Sequence, residues 1–185
     1  MPRREVTIWY LEMLSRDGLR AAPCPNDAAR VVQAEIPSPE LNRFLYTAVG
    51  GAWYWIDRLG WDLARWQAYV DRPEFQTWVL YVSGTPAGYV ELEAQPAGNV
   101  EIASFGLLPR FIGQGRGLGK YLLSVGVQRA WDLGHPRRVW LHTCSLDGPY
   151  ALANYQARGF RIYDQRSVMV DLPEQPPGPW PGANG

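Results

Sequence analysis

Two periods alternate along this chain. Val6 to Leu14 is rich in Val, Ile, Trp and Tyr, the residues of a strand. A polar, Pro-containing stretch to about Pro39 reads equally as loop or short helix. From Pro39 to Val70 the pattern turns helical, with Leu59, Leu63 and Trp66 at near-helical spacing. Thr77–Val82 and Ala87–Ala94 are strands joined at Ser83-Gly84-Thr85-Pro86, a turn signal. A second turn, Gln95 to Asn99, leads into a strand over Val100–Leu108.

A glycine-rich loop from Pro109 follows and runs into a helix of about 15 residues, with Leu118, Leu122 and Val125 on one face. Gly134 and Pro136 stop that helix. Val139–Cys144 is a strand, and Asp147-Gly148-Pro149 opens a short helix with Asp147 as its candidate N-cap. Gly159 closes it, and Phe160–Asp171 is the final strand. The order is β-α-α-β-β-β-α-β-α-β. Hairpin strands in the middle are antiparallel, and the helical crossover after Leu108 makes a parallel pair. The fold class is therefore α/β with a mixed sheet, not a doubly wound one. Residues 1–171 form one domain, and 172–185 is a Pro- and Gly-rich tail, either flexible or wrapped on the surface.

Composition narrows the functions. The 185 residues carry 18 basic and 18 acidic side chains, which argues against a nucleic-acid binder. Two cysteines fit a reducing compartment, and neither a leader-like apolar segment nor a membrane-spanning run stands out. A cytoplasmic protein that does not engage a membrane is expected; a homodimer is compatible. His142 and Cys144 share a strand face, but two histidines without ligand spacing give no metal site. Lys120 is the only lysine, and it lies in the glycine loop. Trp53, Trp55, Trp61, Trp66 and Trp78 fall within 26 residues.

The glycine loop fits neither common nucleotide fingerprint. A nucleotide-hydrolase phosphate loop needs glycine where Gln114 stands and Ser/Thr where Tyr121 stands. The dinucleotide pattern needs glycine at Leu118 or Lys120. Gly113, Gly115, Gly117 and Gly119 alternate at a helix start, where bare backbone N–H groups approach an anion closely. Arg110, Arg116 and Lys120 add positive charge. Gln114-Gly115-Arg116-Gly117-Leu118-Gly119 resembles the Q/R-x-x-G-x-G/A signature of the GNAT superfamily of acyl-CoA-dependent N-acyltransferases. A short helix ending in Gly-Phe, Ala153 to Phe160, is similar to a second feature of that family, about 40 residues on.

The resemblance covers roughly residues 5 to 171 and implies acetyl-CoA as donor. It implies that the amides of Gln114, Gly115, Arg116, Gly117, Leu118 and Gly119, with Lys120, hold the pyrophosphate. Leu107 and Leu108 would pair with the pantetheine, a bulge near Gly106 would splay that strand from Val139–Cys144, and Leu107 would supply an oxyanion donor. Two features depart from the family pattern. The interval from Pro109 to the signature is two residues longer than the commonest spacing. The family's coenzyme-contacting Asn is Gly148 here, with Asn154 as a substitute.

For catalysis, Tyr155 matches the family tyrosine near the coenzyme sulfur and is expected to act as general acid. Glu101 resembles the glutamate base of the histone-acetylating members. The hairpin points the same way: with Ala94 opposite Val100, Glu93 faces Glu101, and two close carboxylates raise one pKa. Glu91 shares the Glu93 face. The family's acceptor region lies between the first two strands, which here holds Trp53, Trp55, Asp57 and Asp62; aromatic faces beside carboxylates suit a cationic amine. The leading expectation is acetyl transfer to a primary amine on a small molecule. The alternatives are a protein α-amine or lysine acceptor, a non-catalytic coenzyme A-binding module, and an adapter using its Trp-rich patch.

Overall fold

The computed structural model describes residues 2–113 and 116–183. Its seven strands are β1 (Arg3–Met13), β2 (Ala29–Gln33), β3 (Phe75–Val82), β4 (Thr85–Gln95), β5 (Asn99–Leu107), β6 (Arg138–Cys144) and β7 (Arg161–Asp171). They form one sheet in the order β2-β3-β4-β5-β6-β1-β7. Every neighbouring pair is antiparallel except β5–β6, which is parallel as the helical crossover requires. The helices are α1 (Pro39–Gly50), α2 (Leu63–Val70), α3 (Leu118–Asp132) and α4 (Ala151–Ala157). No helix among the described residues is long and apolar enough to cross a membrane.

Alternation along the strands sends side chains to two faces, each covered by helices. Leu92, Val100, Ile102, Val139 and Leu141 pack with Leu118, Leu122, Leu123 and Val127 of α3 in the main core. On the opposite face Val79 and Tyr89 meet Leu45 and Val49 of α1, and Phe75 meets Tyr46, Trp66 and Val70. The contact face of α3 is rotated from the expected one: Leu123, Gly126 and Val127 are buried, while Val125 is only partly so. At Gly126 a Cβ would stand 3.1 Å from both Val90 methyls, so glycine lets α3 settle on β4.

Several segments differ from their sequence patterns. The stretch to Pro39 contains an edge strand, β2, paired only with β3. The helical region from Pro39 is two helices separated by the loop Gly51–Asp62. Its second helix is capped by Asp62, which accepts from the Arg65 N–H at 2.8 Å. Asp147 is not the cap of α4, which begins at Ala151 with Tyr150 preceding it and no side-chain cap. The tail is a wrap: Leu172 is buried, and the Gly178 N–H donates to the Gly51 carbonyl at 3.0 Å.

The bulge lies at Ala103, not Gly106. Glu91 pairs with Ser104 and Leu92 with Ile102, leaving Ala103 as the extra residue. Glycine at 106 has another cause, because a Cβ there would run into a Val49 methyl of α1.

Candidate active site

The parallel pairing of β5 and β6 ends after three residue pairs, the last being Glu101 with Trp140. Beyond it the strands part, and a cleft of about 870 Å³ opens between them. It is lined by residues 102–107 of β5, His142 and Cys144 of β6, residues 116–120 at the start of α3, the 146–150 loop, α4, and Trp53 to Arg58. A smaller hollow of about 350 Å³, between residues 33–37 and 70–77, lies on other elements. Of the residues singled out in the sequence, Trp53, Trp55, Leu107, Arg116 to Lys120, Asn154 and Tyr155 line it, whereas Leu108, Glu91, Glu93 and Glu101 do not.

One end of the cleft suits an anion. Gly117 precedes α3 at φ +68° with no side-chain cap, so the first-turn amides of Leu118, Gly119 and Lys120 lack intrahelical acceptors. Arg116, Lys120 and Arg158 line this end. Gln114 and Gly115 lie outside the described residues. Leu108 donates its N–H to Ala87 at 2.9 Å. By strand alternation the Leu107 amide therefore turns to the open side. Asn154 donates to the Gly119 carbonyl at 3.4 Å, tying α4 to α3, and its own buried Oδ1 has no protein partner. Unspent amides, a backbone edge without a neighbouring strand and this orphaned oxygen together fit a long ligand bearing phosphates and amides.

Tyr155 forms the floor at 6% exposure, edge-on to Phe105 at 5.8 Å and to Phe160 at 6.4 Å. Burial, then the charges of Asp147 and Cys144, push its phenol well above the ordinary range, so it stays protonated. Burial and Asp147 likewise push the Cys144 thiol up, which keeps it from nucleophilic use.

The carboxylates are arranged differently from the expectation of a free pair. Glu93 does face Glu101 across the β4–β5 ladder. Arg72 sits on Glu93 at 2.7 Å, however, so the pair is not two unpartnered carboxylates. Glu91 is fully buried, bound by Arg58 at 2.8 Å and by the Asn42 amide at 2.9 Å. Neither Glu91 nor Glu93 lines the cleft, and Glu101 stands one layer behind it, against His142.

The aromatic segment also has an occupant of its own. The Arg58 guanidinium lies 4.3 Å from the Tyr69 ring centroid, 5.3 Å from Tyr46, 5.4 Å from Trp61 and 5.9 Å from Trp66. That cage is filled from within. Trp53 and Trp55 do line the cleft. The Trp55 indole donates to Asp147 at 3.3 Å, and Trp53 packs beside Gly148.

Asp147, Arg58 and His142 are the residues that sequence reasoning assigned elsewhere or passed over. Asp147 accepts from Thr143 Oγ1 at 2.6 Å and from the Cys144 N–H at 3.0 Å, ending β6 where the cleft begins. Nothing in the local sequence distinguishes that role from a helix cap. The strand alternation that put His142 on the Cys144 face was the signal for its place in the cleft.

The sequence from residue 40 to 160 matches the model of the acetyltransferase (GNAT) family. The chain belongs to this family. The splayed strands and the glycine-led α3 are thus features of a GNAT domain. Among curated proteins none matches the sequence. A GCN5-related N-acetyltransferase from Kribbella flavida is 19% identical, with a TM-score of 0.64 over 90% of this chain and 58% of its own. Another from Sphaerobacter thermophilus is 20% identical, with a TM-score of 0.60 over 89% of this chain and 50% of that one. An aminoglycoside acetyltransferase from an uncultured soil metagenomic sample is 16% identical, with a TM-score of 0.58 over 72% of this chain and 88% of its own. These likenesses establish a shared fold. The GNAT chain described here spans 58% and 50% of the length of the first two structures.

Proposed function

We propose that this GNAT domain transfers an acetyl group from acetyl-CoA to a primary amine on a small molecule. The observation that carries the proposal is the opening of β5 from β6 directly beside the uncapped start of α3. Acetyl-CoA supplies an activated acyl group as its thioester. Leu118, Gly119 and Lys120, with Arg116, would bind its phosphates and the backbone at Leu107 its amides, whereas the Leu108 N–H is taken by the Ala87 carbonyl. The Leu107 N–H is aimed to stabilise negative charge on the carbonyl oxygen, and Tyr155 to give a proton to the departing sulfur. Gln114, Gly115 and Asn154 complete the coenzyme set. Trp53 and Trp55 form the acceptor wall, and Asp57 and Asp147 make that end of the cleft anionic. Glu91 supports this wall from behind through Arg58, which lies over Tyr46 beside Trp55, whereas Glu93 is held apart from it by Arg72.

The charge division favours the orientation: cations at the α3 end meet phosphates, and carboxylates at the other end meet an ammonium group. The test is free-thiol release from acetyl-CoA with a panel of small amines, set against lysine-bearing and free N-terminal peptides. Thiol release with small amines is expected. Tyr155→Phe should lower kcat about 10²-fold, with coenzyme affinity retained in direct titration. Turnover of peptides alone would overturn the small-molecule acceptor. Coenzyme binding without thiol release on any amine would overturn the transferase reading.

A further inference from the structure

We propose that His142 is the general base, taking the proton from the acceptor nitrogen, and that Glu101 is the carboxylate that positions its ring. This rests on the acetyl-transfer reading and names a group that reading leaves open. His142 occupies the outward position on β6 immediately after Trp140, the last residue to pair with β5. It therefore stands at the point where the strands part, with its side chain 51% exposed, and it lines the cleft. Glu101, which pairs with Trp140 two residues earlier on β6, does not line it. A carboxylate set behind an imidazole is arranged to orient that ring.

The supporting contacts form a chain. The Trp140 indole N–H donates to Gln95 Oε1 at 2.9 Å. The Gln95 amide donates to Glu101 Oε2 at 2.7 Å. The other oxygen, Glu101 Oε1, lies 3.5 Å from His142 Nδ1. In this assignment the ring proton is on Nδ1, facing that carboxylate, and Nε2 is left as the ring's proton acceptor. The ring is bracketed by Tyr10 of β1 at 6.1 Å and Trp140 at 6.3 Å. Three other ionisable groups at the gap are less suited to the task. Tyr155 and Cys144 are held protonated, and Asp147 already accepts from Trp55, Thr143 and Cys144.

The proton balance closes. The acceptor's neutral amine forms the N–C bond to the acyl carbon, and the C–S bond breaks. One nitrogen proton passes to His142 Nε2, and the thiolate takes a proton from Tyr155. Solvent returns the proton from His142 and reprotonates Tyr155, leaving amide and free thiol.

The charged and titratable groups facing His142 are Glu101 from β5, Tyr10 from β1, Asp147 from the β6–α4 loop, Asp57 from the acceptor loop, and Cys144 on its own strand. Contact with the Glu101 carboxylate dominates and raises the imidazole pKa, with burial opposing and Asp147 and Asp57 adding to the rise. The base form is lost as pH falls, so the acid limb of the rate profile should lie above the ordinary histidine value of about 6.5.

NMR titration of the full chain without ligand reads this directly. The chain has two histidines, so His142→Gln identifies the resonance. An apparent pKa above about 6.5 that falls in Glu101→Gln is expected. With any amine that releases thiol, His142→Gln should lower kcat by about 10²-fold or more, with coenzyme affinity and thermal midpoint held. Glu101→Gln should move the acid limb down by the same amount as the titration. Wild-type kcat in His142→Gln, or a limb that stays fixed in Glu101→Gln, overturns the assignment. Absence of thiol release by the wild type overturns the transferase reading itself.

Discussion

Arg58 shows how one side chain changes the meaning of a residue pattern. Tryptophans interleaved with carboxylates suggested a receptor for an external cation, yet the cation is already in the chain. Its guanidinium is 14% exposed and lies over four rings, while its partner Glu91 has no exposure at all. Burial opposes the charge, and the Glu91 carboxylate outweighs it, so Arg58 stays protonated. Replacing Arg58 by Met leaves a buried carboxylate with only the Asn42 amide, a loss of about 3–5 kcal/mol. Urea unfolding should show the midpoint drop at nearly constant slope. The double change Arg58→Met with Glu91→Met should recover most of the loss, because it removes the uncompensated charge. A double variant no more stable than Arg58→Met alone would mean that cage packing, not charge pairing, sets the cost.

At the scale of elements, the readable parts of the chain are those where burial enforces a period. Strands β3 to β6 follow their sequence patterns closely, because each presents residues to a covered face, and α3 spans the expected residues with its contact face turned toward Leu123 and Val127. Even the Glu93–Glu101 register follows from the turn at 95–99. Strand β2 hides in five residues at a sheet edge, where only Ala29 is buried and nearby prolines mimic a loop. The bulge at Ala103 was misplaced to Gly106, since a packing glycine and a bulge glycine look alike in sequence. Likewise Asp147 is a helix-capping type that in this fold closes a strand end. The end of α1 gives a sharper case. A Cβ on Gly51 would overlap the Gly178 carbonyl and stand 2.7 Å from the Pro179 nitrogen. That is backbone against backbone, so no rotamer relieves it. Gly51→Ala should cost about 1–3 kcal/mol and free the tail, with faster proteolytic trimming past Leu172 as its signature. Trimming at the wild-type rate would show that the strap yields without detaching.

At the scale of the whole molecule, that strap joins residues 172–178 to the side of the cleft lined by Trp53 and Trp55. Leu172 is anchored at 2% exposure. The Tyr54 hydroxyl donates to the Glu174 carbonyl at 3.3 Å, Arg4 donates to the same carbonyl and to the Tyr54 hydroxyl at 3.2 Å each, and Gly178 bonds Gly51. Tyr54 itself is held at φ +61°, a conformation that an unpinned tyrosine relaxes from. These contacts fix the loop carrying Trp53 and Trp55, and none of them involves Arg116 to Lys120, Leu107 or Asn154. Removal of residues 174–185 should therefore separate the two halves of the cleft. The KM for the amine should rise several-fold as the loop loosens, while coenzyme affinity in direct titration stays within about twofold. A parallel loss of both affinities would mean that the tail supports the sheet as a whole. An unchanged amine KM would leave Asp147, through its bond to Trp55, as the contact that holds the acceptor wall.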